Sequence, residues 1–530
     1  MNKQQLLAAI ARCGALFAAP FLLLGLYIHW NDKRLHTIPT SALYFSPKRV
    51  TPEEARATAK RVAEEEKSGT GVNEEVPPKT GRRYIVVGGG GFLGAWIAAK
   101  LLERGEDPRR IRLLDLHPPT NHVVKDALAA GLQFIKVDVT DRATLSAAFT
   151  APWPRLPLEV TPPPLTVFHT AANIRFYERH LAFIDRSRPV NVGGTENVIE
   201  AAREAGAGVL VYTSSGSVCV KRTRFLLWPW ETEPPYFVQV INDDDTRLPK
   251  RHDEFFSNYA ATKIQAERLV RDADGLPTVD GVMRTGCIRP GNGIFGPRGD
   301  MLCGAYLVRQ HNPTWIEPVV QSFVYVENCV VAHLLYEARL LEPANSPNPD
   351  IGGQAFCVAD PGRIPTYGDV YKTLETLTDG ETQFPSFSPT LMLLISFLIE
   401  GYYRLHYYFA SQSWSAPLVR HLPEIKGDII NLQPALFALT NVHLIFDDSR
   451  ARLPPSKGGL GYKGKWTTLE GLVKTVEEHK SGVGRSETRS GTAGVSFGFK
   501  RKTEKVVKAK ENLVPEPITV VAPVEVLTAQ

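Results

Sequence analysis

The sequence predicts an α/β fold, a doubly wound parallel sheet covered by helices on both faces, and three observations carry that prediction. Short β-branched runs recur from residue 84 onward, apolar patterns of helical period lie between them, and the first run ends in a glycine cluster that opens a helix. Tyr84-Ile-Val-Val is the first strand, Gly88 to Gly91 the turn after it, and Phe92-Leu-Gly-Ala-Trp-Ile-Ala-Ala-Lys-Leu-Leu-Glu the helix. Further strands are expected at Ile111 to Leu116, Leu132 to Val139, Leu165 to Ala171, Val209 to Ser214 and Gly281 to Arg289. Asn191 to Glu204 and Asn258 to Asp272 are the clearest helices between them, and the Pro-rich 152–164 stretch reads as a surface loop. After about residue 300 the strict alternation ends, so 83–300 is expected to form the sheet domain and 301–480 a smaller C-terminal lobe.

The flanks differ in composition. Beyond Arg12 and Cys13, residues 14 to 30 are nearly free of charge and, with the residues before them, approach the roughly 20 needed to cross a bilayer. Tyr27 and Trp30 suit an interfacial belt and no small-residue cleavage site follows, so 1–31 is expected to be an uncleaved membrane anchor rather than a signal peptide. Lys33, Arg34, Lys48 and Arg49 slightly outweigh Lys3 and Arg12, which places the body on the cytosolic side. Residues 32–82, rich in Glu, Lys, Thr and Pro from 46 onward with a short helix near 52–67, read as a linker, and 481–530 as a disordered tail. Leu391 to Phe409 is strongly apolar and aromatic. Glu400 and Arg404 argue against a second span, leaving a helix in the headgroup region, with a buried core helix as the rival. A net charge of +5 over 530 residues does not argue for nucleic acid. The six cysteines show no CxxC pair and no histidine cluster accompanies them, so neither a disulfide framework nor a metal site is expected.

The glycine run satisfies both Gly88-x-x-Gly91-x-x-Gly94 and Gly89-x-Gly91-x-x-Gly94. After a strand and before a helix, such a run lets backbone approach a pyrophosphate, whose charge the helix N-terminus attracts. Gly291-Asn-Gly-Ile-Phe-Gly296 has the same spacing, but Pro297-Arg-Gly-Asp follows and no helix opens there. Asp115 closes the second strand, where a carboxylate accepts the ribose hydroxyls of NAD and repels the 2′-phosphate of NADP. Arg109, Arg110 and Arg112 keep NADP as the less favoured cofactor. Asp138 and Val139, at the end of the third strand, are placed to flank the adenine. A solvated turn carboxylate is the other reading of either aspartate. Ser214 and Ser215 end the fifth strand, and Tyr259 and Lys263 stand four apart on one helix face. That spacing is common, as Tyr44 and Lys48 show. A strand-end serine before it and a dinucleotide turn in the same domain give it meaning.

Together these residues resemble the extended short-chain dehydrogenases/reductases. They are closest to the membrane-associated 3β-hydroxysteroid dehydrogenase group, which includes the decarboxylating sterol-4α-carboxylate 3-dehydrogenases. The resemblance runs from about 84 to 480 through Val87-Gly-Gly-Gly-Gly-Phe-Leu-Gly, Val167-Phe-His-Thr-Ala-Ala, Val211-Tyr-Thr-Ser-Ser, Tyr259-Ala-Ala-Thr-Lys and Ile288-Arg-Pro-Gly-Asn-Gly. It implies a Rossmann-type domain with a substrate lobe. It implies that Ser215, Tyr259 and Lys263 are catalytic, and that Gly88, Gly91, Phe92, Leu93 and Gly94 hold NAD. It adds Ala171, Ala172 and Pro290 to the cofactor site, with Tyr259 and Lys263 touching cofactor as well. Tyr259 would be the general base, its phenol lowered from near 10 by the Lys263 ammonium.

The implied reaction oxidises a 3β-hydroxyl of a steroid or sterol to the ketone, with loss of a 4-carboxyl group or migration of a Δ5 double bond left open. A reductase or epimerase for a soluble substrate (a nucleotide sugar or a dihydroflavonol) and a non-catalytic dinucleotide sensor are the rivals. The resemblance further implies membrane attachment, at the endoplasmic reticulum with the catalytic domain facing the cytosol, and leaves a homodimer open. One departure stands out: an aromatic insertion of Phe225, Trp228, Trp230, Tyr236 and Phe237 between Ser215 and Tyr259, either a lip for sterol or membrane or simple packing.

Overall fold

A computed structural model describes residues 3–68, 75–154, 161–425 and 427–482, all within one unit spanning Met1–Val495. The tail expected at 481–530 lies almost wholly outside the described residues, as do 155–160 of the Pro-rich loop. The strands in chain order are β1 (Arg83–Val87), β2 (Ile111–Asp115), β3 (Gln133–Lys136), β4 (Leu165–His169), β5 (Ala207–Thr213), β6 (Val238–Ile241), β7 (Leu276–Thr278), β8 (Gly281–Pro290), β9 (Ile294–Phe295), β10 (Val324–Tyr325), β11 (Gln354–Val358) and β12 (His443–Phe446).

The main sheet runs β11-β8-β5-β4-β1-β2-β3, every neighbouring pair parallel, with β7 added antiparallel to β8. It is the doubly wound Rossmann-type sheet the β-branched runs predict. Tyr84, Ile85, Val86 and Val87 are fully buried, as expected of a strand covered on both faces. Chain order reverses between β1 and β4, the topological switch where α/β sheets open a crevice at the carboxyl ends of their strands. Register brings those ends level: Val87 pairs with Leu114 and His169, and Thr213 with Ile288.

Three expectations are corrected. β11 joins the edge of the sheet from inside the region assigned to the C-terminal lobe, so the sheet does not end at residue 300. Phe356, Cys357 and Val358 are fully buried, and their continuous apolar run suits a sheet covered on both sides. Residues 32–68 do not behave as a linker. The helix Pro52–Ser68 buries Ala55 and Val62, Arg49 pairs with Asp369 at 2.8 Å, Arg61 pairs with Glu470, and Arg363 reaches Glu54 at 2.9 Å.

The third concerns the membrane. Among the described residues no helix is long and apolar enough to cross one, so the spanning anchor expected at 1–31 is not borne out. The helix Lys3–Leu35 instead commits its last turns to the body. Tyr27 donates to the Leu227 carbonyl at 3.0 Å, and Asn31 donates to the Phe225 carbonyl and to Thr390 at 3.1 and 2.7 Å. The apolar segment near 391–409 is the helix Pro389–Ser411. Its inner face buries Met392, Leu393, Ser396 and Glu400, while Leu398 is 74% exposed and Leu405 and Tyr408 also face outward. The inner face fits the reading as a packed core helix, and the outer face stays apolar and exposed. Arg179 grips Glu400 through Nε and Nη2 at 2.7 and 2.6 Å, which is how a charge sits on the buried side.

Candidate active site

Every residue expected to touch cofactor or substrate lines one cavity of about 580 Å³ at the carboxyl ends of the strands. Gly88, Gly91, Phe92, Leu93 and Gly94 form its floor, Asp115, Asp138 and Val139 one side, and Ala171, Ala172, Ser215, Tyr259, Lys263 and Pro290 the other. Gly88, Gly91 and Gly94 line the cavity, while Gly89 packs against Leu113, where a Cβ would collide. Gly88 has φ +87, which a side chain disfavours. A Cβ on Gly94 would collide with the Gly88 carbonyl oxygen, so the helix start can lie against the turn only with glycine there. The result is an open cradle at the N-terminus of the helix Phe92–Glu103, with Gly91 as its cap residue and no capping side chain in the way. A dinucleotide pyrophosphate fits that cradle.

The Asp115 carboxylate accepts from the Gly90 amide at 3.0 Å and the His117 amide at 3.2 Å, which fixes it at the cavity edge. The arginines that kept NADP open do not join it. Arg112 is buried at the opposite end of β2, donating to Gln133 and to the carbonyls of Ala148, Phe149, Ala151 and Pro152. Arg109 pairs with Asp107, and Arg110 donates to the Gly81 carbonyl. Asp138 turns partly toward its own loop, accepting from the Thr140 amide and hydroxyl at 2.9 and 2.8 Å.

The two serines at the end of β5 separate cleanly. Ser214 also lines the cavity, but its hydroxyl is committed to buried Glu267, to which it donates at 2.6 Å. Ser215 shares a hydrogen bond with Ser217 at 2.7 Å, and its hydroxyl acts on the Tyr259 phenol, favouring the ionised form. Tyr259 and Lys263 lie on the helix Asn258–Asp272, whose start is capped by Ser257. Lys263 is buried. Its Nζ donates to the Thr213 carbonyl at 2.6 Å and lies 4.1 Å from the centre of the Tyr212 ring.

Burial pushes the Tyr259 phenol up to about 12, with the Ser215 hydroxyl pulling the other way. Burial likewise pushes Lys263 down to about 7, opposed by Cys287 and Glu267. The expected lowering of the phenol by Lys263 is therefore not realised in this arrangement, because desolvation dominates at both groups and the ammonium is turned onto a carbonyl. Lys263 also carries a stability cost. A lysine depressed from 10.5 to about 7 disfavours the folded state fully below pH 7, and the cost fades as pH rises toward 10.5.

The far wall comes from the C-terminal lobe. Tyr306, Arg309, Trp315, Tyr367, Tyr371, Leu436 and Leu439 close it, and no sequence pattern marked them. They lie on separate segments whose only common feature is that the fold gathers them. The aromatic insertion divides: Phe225 and Phe237 are core, whereas Trp228 and Trp230 stack at 5.5 Å on the surface.

Residues 85–382, more than half of the chain, match the 3-beta hydroxysteroid dehydrogenase/isomerase family. The chain belongs to that family. Among its relatives is a 3 beta-hydroxysteroid dehydrogenase/Delta 5-->4-isomerase of Mycobacterium tuberculosis, 27% identical over 75% of this chain and 90% of the relative. Another is a 3beta-hydroxysteroid-dehydrogenase/decarboxylase, isoform 1, of Arabidopsis thaliana, 27% identical over 75% of this chain and 80% of the relative. A solved UDP-glucose 4-epimerase from Thermotoga maritima aligns at 18% identity and TM-score 0.48, covering 76% of this chain and 99% of its own. As a member of the 3-beta hydroxysteroid dehydrogenase/isomerase family, the chain is an NAD(P)-dependent oxidoreductase.

Proposed function

We propose that the protein oxidises the 3β-hydroxyl of a steroid or sterol to the ketone with NAD, working at a lipid surface. The observation that carries the reading is the placing of Ser215, Tyr259 and Lys263 on the same cavity as the dinucleotide cradle, facing an aromatic and aliphatic wall. When bound, nicotinamide supplies the hydride acceptor. Ser215 holds the substrate oxygen and Tyr259 takes its proton, with the Ser215 hydroxyl favouring the ionised phenol. Lys263 is within the cavity lining to hold the cofactor ribose once its Nζ leaves the Thr213 carbonyl. Asp115 supports NAD over NADP. Asp115→Ala is expected to weaken NAD about 10- to 100-fold, since hydrogen bonds to a charged group are at stake, and to weaken NADP less. Titration of both nucleotides by tryptophan fluorescence measures this, and equal losses overturn the assignment.

The lipid surface is supported by what is exposed. Phe21 to Leu24 and Leu26 face outward on the first helix, and Leu398, Leu405 and Tyr408 on the helix Pro389–Ser411. The two helices meet where the Thr390 amide donates to Asp32 at 2.9 Å. Such a face suits the bilayer interface, with the stacked Trp228 and Trp230 as aromatic anchors. The double substitution Leu398→Glu, Leu405→Glu is expected to reduce sedimentation with phospholipid vesicles strongly. Retained vesicle binding, or a wild-type particle of dimer size that the substitutions split, assigns the face elsewhere. The reaction itself is tested by NADH formation on a panel of 3β-hydroxysterols, with carbon dioxide release followed in parallel.

A further inference from the structure

A second cleft, of about 870 Å³, lies outside the cavity described above and shares none of its lining residues. Six cations border it, Arg179, Lys221, Arg222, Arg224, Arg247 and Lys250, against two carboxylates, Asp253 and Glu254. Those carboxylates do not cancel the excess, because Arg251, outside the lining, engages both. Its Nε donates to Asp253 at 2.9 Å and stands 4.0 Å from Glu254. Arg179, Arg224 and Arg247 are paired with Glu400, Glu231 and Asp244. Lys221, Arg222 and Lys250 form no ion pair among the described residues.

The backbone holds these three cations in one place. The Arg222 amide donates to the Glu254 carbonyl at 2.9 Å, which ties the segment of Lys221 to that of Lys250. The Gln239 side chain bonds both the amide and the carbonyl of Lys221 at 2.9 Å. Burial and the neighbouring Arg179 hold the Arg222 guanidinium below its usual range. Like charges gathered this way gain from an anion set between them.

The remaining wall is apolar and includes Phe225, Leu393 and Phe397. Leu393 and Phe397 belong to the helix Pro389–Ser411, on which Leu398 is turned outward. The insertion that supplies Arg224 and Phe225 continues to the exposed, stacked Trp228 and Trp230. The cleft is therefore walled by the same helix and the same insertion as the face assigned above to a lipid surface. A group of roughly four to eight basic residues beside such a face suits an anionic membrane.

We propose that this cleft takes the headgroup of an anionic phospholipid, with the phosphate among Lys221, Arg222 and Lys250 and the acyl chains leaving along Phe397. The proposal rests on the lipid-surface reading and adds a choice among lipids that an apolar face cannot make. A nucleic acid would also satisfy the cations, but it would leave the Phe225, Leu393 and Phe397 wall unused.

The test is cosedimentation of the full chain with phosphatidylcholine vesicles and with the same vesicles carrying phosphatidylserine. Wild type is expected to bind the second roughly 10- to 100-fold more tightly, an advantage that shrinks as salt is raised. Lys221→Gln, Arg222→Gln is expected to lose about 30-fold on the anionic vesicles, the worth of two cations at a charged surface, with no change on phosphatidylcholine. Arg56→Gln, Lys67→Gln removes the same charge from exposed positions of the helix Pro52–Ser68 and should keep the advantage. Equal binding of both vesicles by wild type overturns the proposal, whether or not the variants fold, and leaves the apolar face standing. An advantage that survives in Lys221→Gln, Arg222→Gln, or that both double variants lose alike, also overturns it. Binding to neither vesicle removes the lipid surface itself and the headgroup site with it. Capture of an RNA oligonucleotide in place of the anionic vesicles assigns the cleft to nucleic acid and overturns the proposal.

Discussion

Tyr259→Phe is expected to lower alcohol oxidation about 10²- to 10⁴-fold, the range that a positioned proton-transfer group contributes. NAD affinity should survive, since the ring stays in place and only the hydroxyl is lost. The pH dependence tests the same assignment independently. Burial holds the phenol at about 12, so the basic form grows with each step upward in pH, and wild-type oxidation should climb through the neutral and alkaline range. In the variant that climb should vanish along with the rate. Stopped-flow NADH formation between pH 6 and pH 9 measures both. Near-normal turnover in Tyr259→Phe, or a pH profile of unchanged slope, would remove Tyr259 from the base role.

The second large effect is on stability and arises beneath the site. Arg289 and Glu267 are both fully buried and meet through two hydrogen bonds, at 2.6 and 2.9 Å. Arg289 also reaches Asp245 at 2.7 Å, and Glu267 accepts from Ser214 at 2.6 Å. Arg289→Met leaves the Glu267 carboxylate in the interior with its bidentate partner gone and the longer Arg271 contact at 3.4 Å in its place. The expected cost is about 3–5 kcal/mol, because an uncompensated buried charge is far worse than a missing pair. The double change Arg289→Met, Glu267→Leu should recover most of the loss for the same reason. Urea unfolding midpoints decide, and a double variant no better than the single one would show that the pair is not coupled. The cost also bears on chemistry, since Glu267 is one of the groups favouring the charged form of Lys263.

Local sequence determined what depends on local geometry. A β-branched run, glycines at the tight positions and a helical pattern after them mark the cradle from residues 84 to 103 within one stretch of chain, and the helix Asn258–Asp272 appears where its spacing puts it. Tyr259 and Lys263 were legible because one turn of helix places them together whatever surrounds it.

Burial and long-range pairing were settled only by the tertiary structure. Whether Lys263 lowers the phenol depends on how deeply both groups are desolvated, a property of every element packed around them. The Ser214 and Ser215 hydroxyls part company because Glu267, from another element, takes one of them. Residues 32–68 looked like a linker because their polarity is high on average, yet a few small apolar positions and paired charges were enough to fix them to the body. Lys221, Arg222 and Lys250 could not be singled out in sequence at all. They border one cleft only because the fold joins two separate segments and engages the nearby carboxylates with Arg251, and both are facts about three dimensions.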